Sequence, residues 1–250
     1  DMKRALFRLW NSPTFTTWAN LSTRSLRFLL VTPLLVTSFN TTEIAAWYLF
    51  TSLTFFGSII HARVTLTFNR MIAFAMAGAE DLSAIETASR PRGTGNPHWG
   101  TVKRAYATVG FLTLITAALS AFSGLVLGHF SLAGLLEGYA HPFQIWLALF
   151  IMVGGECFTM CFSQYMVTIQ GMGLVALSNR WSCLFALISI IAGTIALSLG
   201  ANIVTLAIVM QSIGLLNILR MKMLVNYVHG GALSKSRSIR YDREVFRWAW

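Results

Sequence analysis

The stretch AYATVGFLTLITAALSAFSGLVLG, residues 105–128, runs for 24 residues without a charged side chain. At 1.5 Å of rise per residue, a helix of this length can cross a hydrocarbon layer about 30 Å thick. Its apolar residues form one unbroken run instead of a stripe along one helix face, as is typical of a segment that spans a bilayer. The stretch therefore predicts a membrane-spanning helix, and other parts of the chain repeat the pattern.

Three further runs have the same character, and the composition of the whole chain agrees with them. Of the 250 residues, 55% are hydrophobic and 11% are charged, whereas soluble domains carry roughly 25% charged residues. Glu156 is the only charged residue in the three runs, which are Phe143–Ile169, Ser182–Leu199 and Ile203–Leu219. We therefore expect an all-α, polytopic membrane protein.

Two more spans are predicted near the N-terminus, and both contain cations. The stretch NLSTRSLRFLLVTPLLVTSF, residues 20–39, includes Arg24 and Arg27. A span that began after Arg27 would have only 12 residues, which is too short, so both arginines belong to the span. The next apolar segment, Ile44–Ala79, is long enough for either one extended helix or two spans.

The distribution of cations favours one helix at Ile44–Ala79. With that choice, 15 of the 19 Lys and Arg residues lie on one side of the membrane. The loops predicted on the other side, Asn40–Glu43, His129–Pro142 and Gly200–Asn202, contain none. The positive-inside rule then predicts six spans with a cytoplasmic N-terminus. The net charge of +10 follows from this topology, so nucleic acid is not expected as a partner.

The chain accordingly divides into three predicted parts. Residues 1–12 form a cytoplasmic amphipathic entry, residues 13–221 a six-helix transmembrane bundle, and residues 222–250 a basic cytoplasmic linker. The linker ends as SKSRSIRYDREVFRWAW, which reads as the approach to a seventh helix that is absent. We therefore expect a C-terminal half, or a partner subunit, to be missing from this sequence.

Ionisable residues inside spans are candidates for function, because each costs about 2.5–3.5 kcal/mol at a helix centre on insertion scales. Asn20, Arg24 and Arg27 share one face of the first span at positions i, i+4 and i+7. Two interpretations remain open for the arginines. Their side chains either extend to the cytoplasmic headgroups or form the wall of a cavity in which guanidinium groups bind phosphate oxygens.

The second span carries polar residues at steps of three and four, which indicates a helix that faces water or other helices rather than lipid. These residues are Thr51, Thr54, Ser58, His61, Thr65 and Asn69. Arg63 lies about 200° around the helix from His61, so the two cannot line one cavity in a regular helix. Arg63 is therefore either a second phosphate-binding residue or an anchor at the inner membrane surface.

Glu156 lies midway along its span, directly after Gly154 and Gly155. A carboxyl group at that depth is protonated, paired with an arginine, or the site of a coupling cation. Pairing with Arg24 or Arg27 and coupling to H⁺ or Na⁺ both remain open.

No constellation of residues predicts an enzyme, a metal site or a cofactor. Cys157, Cys161 and Cys183 all fall in apolar runs, and no histidine is near enough in sequence to complete a metal set with them. An enzyme that acts on lipid pyrophosphates would use acidic metal-binding clusters at the membrane surface. Only the acidic residues between Glu80 and Glu86 could form one, so we expect no catalytic residues.

Two stretches resemble a known family. RFLLVTPLLVTSFNTTEIAAWYLFTSLTFFGSII, residues 27–60, resembles the first two helices of Wzx-type polysaccharide flippases of the multidrug/oligosaccharidyl-lipid/polysaccharide exporter superfamily. Pro33, Glu43, Trp47 and Leu49 match that pattern. IQGMGLVALSNRWSCLFALIS, Ile169–Ser189, resembles the cytoplasmic turn and the entry to the fifth helix in the same family.

The resemblance implies that the chain is the N-terminal half of a transporter in the bacterial inner membrane. Such a protein would flip a polyprenyl-pyrophosphate-linked oligosaccharide by alternating access, with arginines holding the pyrophosphate. Arg24 and Arg27 match that role, and Arg63, Asn20 and His61 are the further candidate substrate-binding residues, with Glu156 as coupling residue or counter-charge. The expected partners are the lipid-linked sugar, membrane lipid and a coupling cation. The alternatives are a non-catalytic scaffold of a polysaccharide export complex, or a drug/cation antiporter of the same superfamily.

Overall fold

The computed structural model describes residues 10–79, 96–228 and 241–249. Of these residues, 87% are helical and none belongs to a strand. The helices, in chain order, are α1 (Pro13–Ser38), α2 (Thr41–Met76), α3 (Trp99–Leu135), α4 (Pro142–Cys161), α5 (Gln164–Gly171), α6 (Val175–Ser198), α7 (Ile203–Val228) and α8 (Arg243–Ala249). The predicted basic segments at residues 1–9, 80–95 and 229–240 lie outside the described residues.

Five stretches of helix are long and apolar enough to cross a membrane. They are Thr41–Met76, Trp99–Leu135, Pro142–Gly171, Val175–Ser198 and Ile203–Tyr227. The expectation of an all-α, multi-pass membrane protein is confirmed by these stretches. Helix α1 has 26 residues but is not among the five, and it carries Arg24 and Arg27 in its middle. The predicted count of six spans therefore stays a prediction.

Helix bounds confirm one sequence prediction and correct another. Helix α2 is one continuous helix, as the distribution of cations indicated. Helix α3 continues to Leu135, so the loop predicted to begin at His129 begins later than expected. The chain turns instead at Gly138, whose φ of +77° favours glycine, and Pro142 then starts α4.

The run predicted as a single span over Phe143–Ile169 lies within one of the five stretches, Pro142–Gly171, which contains a turn between two helices. The helix ends at Cys161 and a new helix begins at Gln164. In the turn, the Ser163 hydroxyl donates to the Met160 carbonyl at 2.8 Å. The Gln164 side chain then packs against Gly110 of α3 so closely that no side chain could replace the glycine without moving it. This close packing was not visible in the apolar composition of the run.

The described helices divide into two compact units. Unit 1 comprises Asp1–Ser58, Ala118–Thr159 and Ala176–Asn217, and unit 2 comprises Ile59–Ala117, Met160–Val175 and Ile218–Trp250. The core of unit 1 is built from aliphatic and aromatic side chains of α1, α2, α3, α4, α6 and α7. Its members include Val31, Leu35, Trp47, Phe50, Leu132, Ile145, Leu149, Leu197 and Leu206.

Polar residues in unit 1 fix the start of α2. The Asn40 side chain accepts a hydrogen bond from the Glu43 backbone N–H at 2.9 Å, and Glu43 accepts one from the Asn40 N–H at 3.1 Å. This reciprocal arrangement is a capping box, which satisfies backbone donors that a helix start leaves open. The Tyr139 hydroxyl also donates to Glu43 at 3.1 Å, and burial raises the pKa of Tyr139. The hydrogen bonds of Glu43 therefore stabilise the start of α2.

Unit 2 has its own core, in which small residues allow close approach. The Asn69 side chain of α2 donates to Gln170 of α5 at 3.1 Å. Beside this bond, a Cβ at Gly171 would lie 2.7 Å from Ile72 Cβ and 3.0 Å from the Asn69 carbonyl oxygen. Glycine is thus the residue that lets α5 lie directly on α2 within this unit. The surrounding core includes Phe68, Met71, Ile72, Val109, Ile169 and Val245.

Helix α8 docks on α3 within unit 2 through an ion-pair cluster. The Arg104 guanidinium donates to Asp242 at 2.6 and 3.1 Å and to Glu244 at 2.6 Å. Asp242 in turn accepts from the backbone N–H groups of Glu244 and Val245, so it also caps α8. Val245 is fully buried. The contact therefore combines a bidentate arginine with a buried apolar residue.

This cluster predicts a pH dependence for the docking of α8. Hydrogen bonds from Arg104 lower the pKa of Asp242 below its usual value. A carboxyl group with a lowered folded-state pKa stabilises the docked state above its unfolded pKa of about 3.9, and this contribution is lost as the pH falls through the folded value. We expect spin labels at Lys103→Cys and Arg247→Cys to move apart as the pH falls below the folded-state pKa of Asp242.

The change should be modest, because the ion pairs are partly exposed and such pairs contribute at most about 1 kcal/mol. The Arg104→Ala variant is the control, since it should show the wider distance distribution already at neutral pH. A distance distribution that is unaffected by both acid and Arg104→Ala would contradict the prediction.

Candidate functional site

Arg27 points from α1 toward a neighbouring helix of unit 1. Its Nη2 atom lies 2.6 Å from Sδ of Met210 on α7, while the side chain keeps an exposed surface. Met210 belongs to the core of unit 1 and is 5% exposed. A side chain extended toward lipid headgroups would lie along its own helix and away from such a core. The Arg27 guanidinium thus contacts a side chain of the unit 1 core, and its role as a cavity residue stays a prediction.

The methionine that receives Arg27 is held by helix α6. The Ser189 hydroxyl lies 3.5 Å from Met210 Sδ. A Cβ at Gly193, one turn further along α6, would lie 2.6 Å from Met210 Cε, so the absence of a side chain there makes room for the thioether. Met210 is thus contacted by Arg27 of α1 and by Ser189 of α6, and Gly193 of α6 makes room for its terminal methyl group.

Glu156 supplies the opposite charge. It is half-buried on α4, and it attracts Arg27 electrostatically. The structure therefore brings together two of the ionisable residues that the sequence singled out, and both belong to unit 1. We call the set of Arg27, Glu156 and Met210 the charge pair site.

An amide lies beside this pair that sequence reasoning did not single out. Gln211 follows Met210 on α7, and its Nε2 donates to the Met152 carbonyl at 3.4 Å. Gly155 permits this approach, since a Cβ there would lie 2.5 Å from Gln211 Oε1. Gln211 is a long polar residue in an otherwise apolar run, and that was the signal available for it. Met210 and Ser189 gave no such signal, because residues of their types are common in apolar runs.

Asn20 and Arg24 precede Arg27 on α1. Asn20 is half-buried, and the side chain of Arg24 lies outside the described part of the structure. Two side-chain contacts join this part of α1 to α6. The Thr23 hydroxyl lies 3.0 Å from Cys183 Sγ, and the Asn179 side chain donates to the Thr17 hydroxyl at 2.9 Å. The face of α1 that carries the arginines is thus held at a fixed rotation relative to α6.

His61 and Arg63 belong to unit 2 and do not share a surface there. His61 Nδ1 lies 3.5 Å from the Thr116 hydroxyl, and its Nε2 is buried without a hydrogen-bond partner. Arg63 is exposed, as is Arg70 further along α2. This agrees with the separation of about 200° expected from a regular helix. The structure places neither residue at the charge pair site.

The polar residues of α2 all lie on a half-buried face, as their spacing predicted. Their hydroxyl groups are mostly satisfied by carbonyls of the same helix. Thr54 donates to Thr51 at 3.0 Å, and Ser58 donates to Phe55 at 2.7 Å. These hydroxyl groups therefore do not need water as a hydrogen-bond partner.

Metal ligands do not cluster in the part of the chain that the structure covers. Within residues 10–79, 96–228 and 241–249, no group of three or more His, Cys, Asp or Glu side chains could hold a metal ion. None of the three cysteines, Cys157, Cys161 and Cys183, forms a disulfide.

Comparison with known proteins identifies no relative. No protein-family model matches the chain, and neither a curated protein nor a solved structure is significantly similar to it.

Proposed function

We propose that this chain is a membrane transporter that moves a lipid-linked, polyprenyl-pyrophosphate oligosaccharide or polysaccharide precursor across a bacterial inner membrane. The observation that carries the proposal is the contact of Arg27 with Met210 in the core of unit 1, where Glu156 of the same unit attracts the guanidinium. The resemblance of residues 27–60 and 169–189 to polysaccharide flippases agrees with it. That resemblance also implies a second helix bundle, supplied by the same gene product or by a partner subunit.

The chemistry of the charge pair site fits a phosphate anion. A guanidinium presents planar donors that match two phosphate oxygens at once, and this fork is stronger than a single charge–charge contact. Glu156 neutralises Arg27 when no substrate is bound, which lowers the cost of keeping a cation inside the membrane. When a phosphate replaces Glu156 as the partner of Arg27, the freed carboxylate can take up H⁺ or Na⁺. Substrate and cation binding are then coupled at one site.

A drug/cation antiporter is the second candidate, and Glu156 is the observation that favours it. A half-buried carboxyl group on a membrane helix is the kind of group that binds protons or cationic drugs. In that function, Arg27 would set the proton affinity of Glu156 and would not touch the substrate.

Complementation distinguishes these functions. The gene that encodes this chain, expressed in a bacterium that lacks its own polysaccharide flippase, should restore polysaccharide at the cell surface. The same expression should leave resistance to cationic drugs unchanged. Drug resistance without polysaccharide would favour the antiporter, and neither phenotype at normal protein levels would favour a scaffold.

The proposal places the N-terminus in the cytoplasm, and cysteine labelling tests this. After the three native cysteines have been replaced by serine, a membrane-impermeant maleimide should label Thr41→Cys on intact cells. It should not label Ser236→Cys until the membrane is permeabilised, because the basic linker is expected on the cytoplasmic side. Labelling of Ser236→Cys on intact cells would contradict the six-span topology.

A further inference from the structure

An apolar groove runs between α4 and α7 within unit 1. Its volume is about 280 Å³, and it is open on one side. Its lining consists of the aliphatic and aromatic side chains Ile151, Phe158, Ile208 and Leu215, of Gly154 and Gly155, and of the polar residues Gln211 and Ser212. A hydrocarbon chain is the ligand whose chemistry such a lining matches, because its affinity depends on removing apolar surface from other surroundings and on dense contact.

Two glycines create the groove. A Cβ at Gly154 would meet no atom within 4 Å, so the missing side chain leaves open space at this position. Its neighbour Gly155 instead allows Gln211 of α7 to approach α4 closely, as described above. Gly154 thus leaves space in the groove, and Gly155 lets the two helices approach each other. A larger residue at Gly154 would fill this space, and one at Gly155 would push Gln211 away.

The groove adjoins the charge pair site along both of its helices. Glu156 directly follows Gly155 on α4, and Met210, which contacts Arg27, directly precedes Gln211 on α7. The residues of the charge pair site on α4 and α7 are therefore the immediate sequence neighbours of residues that line the groove. A ligand that fits both must carry an anionic group at one end and a hydrocarbon chain at the other.

We propose that this groove binds the hydrocarbon chain of the transported lipid while Arg27 holds its phosphate. The inference rests on the proposed function, and it assigns the lipid portion of the substrate to a specific surface of unit 1. It follows that the substrate is recognised by its chain as well as by its phosphate. Filling the groove should therefore weaken binding of the whole lipid without changing binding of the phosphate alone.

The test uses purified protein in nanodiscs and two probes. The first is a polyprenyl monophosphate with a photoreactive diazirine on its chain, and the second is inorganic pyrophosphate, which has no chain. Gly154→Leu fills the groove, and leucine is compatible with a helix. Gly214→Leu is the matched control, since Gly214 also has no atom within 4 Å of its missing Cβ but does not line the groove.

The expected result has two parts. Photolabelling should map to Ile151, Phe158, Ile208 or Leu215, and Gly154→Leu should lower it about tenfold, as the loss of a few buried methylene contacts predicts. Gly214→Leu should behave like the wild type, and pyrophosphate should bind Gly154→Leu as it binds the wild type. Arg27→Ala should weaken binding of both probes.

Two other results would overturn the inference, and they differ in what they say of the proposed function. If the wild type binds both probes but Gly154→Leu is labelled as strongly as Gly214→Leu, ordinary membrane lipid occupies the groove and the transport proposal stands. If the wild type binds neither probe, the proposed function fails together with the groove.

Discussion

Replacing Arg27 by alanine is expected to abolish export of the lipid-linked sugar at normal protein levels. The guanidinium is the cation that the fold directs at Met210 and Glu156, so its loss removes the donors for the phosphate and leaves Glu156 without the charge that it attracts. Arg27→Lys should restore only part of the activity, because an ammonium keeps the charge but loses the planar fork. Surface polysaccharide in the complemented strain is the measurement.

The controls for this result separate binding from anchoring. Arg70→Ala removes an exposed arginine from a membrane helix and should leave export intact. If Arg27 served only to reach headgroups, lysine would replace it fully, since lysine reaches them as well. Full export by the double variant Arg24→Ala/Arg27→Ala would contradict the role of a cationic cavity.

Replacing Glu156 by lysine is expected to prevent the protein from folding stably in the membrane. The substitution replaces the negative charge that attracts Arg27 with a second cation in the same unit, so an attraction becomes a repulsion. It also places a new charge in the middle of an apolar span, where an ionisable side chain costs about 2.5–3.5 kcal/mol on insertion scales. Fluorescence-detected size-exclusion chromatography should show loss of the monodisperse peak.

A second substitution should reverse this loss if the pair is responsible for it. Combining Glu156→Lys with Arg27→Leu removes the repulsion and should recover the monodisperse peak without recovering export. Glu137→Lys, which changes an exposed carboxylate in the turn after α3, is the matched control and should fold normally. A normal peak for Glu156→Lys alone would mean that the two charges do not interact.

Glu156→Gln then distinguishes the two roles left open for this carboxyl group. The amide keeps the size and polarity of Glu156 but cannot bind a proton or a sodium ion through a charge. If coupling is its role, transport should stop although the protein folds.

The membrane character of the fold was predictable from the sequence, because an apolar run of more than 20 residues has few other stable arrangements. Helix α2 could also be predicted as one helix, since one helix there leaves 15 of the 19 Lys and Arg residues on one side of the membrane. The ends of α3 and α4 were not predictable. They depend on packing between elements far apart in sequence, such as Gln164 on Gly110, which composition does not record.

The candidate site divides in the same way. Arg27 and Glu156 could be found from the sequence because an ionisable residue within an apolar run is itself a signal. That the two belong to the same unit could be learned only from the structure, as could the contact between Arg27 and Met210 and the space that Gly193 leaves for Met210. The groove beside the pair depends on Gly154, and a single glycine in an apolar run does not reveal whether the space beside it is filled.

The hydroxyl groups along α2 have a mechanical consequence. Thr51, Thr54, Ser58 and Thr65 each donate to a carbonyl three residues back in their own helix. These four bonds travel with the helix, so turning α2 about its long axis breaks none of them. A stripe of equally polar side chains bonded to other helices would resist the same rotation by about 1–3 kcal/mol for each buried group left unpaired. Resistance to that rotation is therefore concentrated at two other members of the stripe, Asn69, which donates to Gln170 of α5, and His61, which lies 3.5 Å from Thr116 of α3.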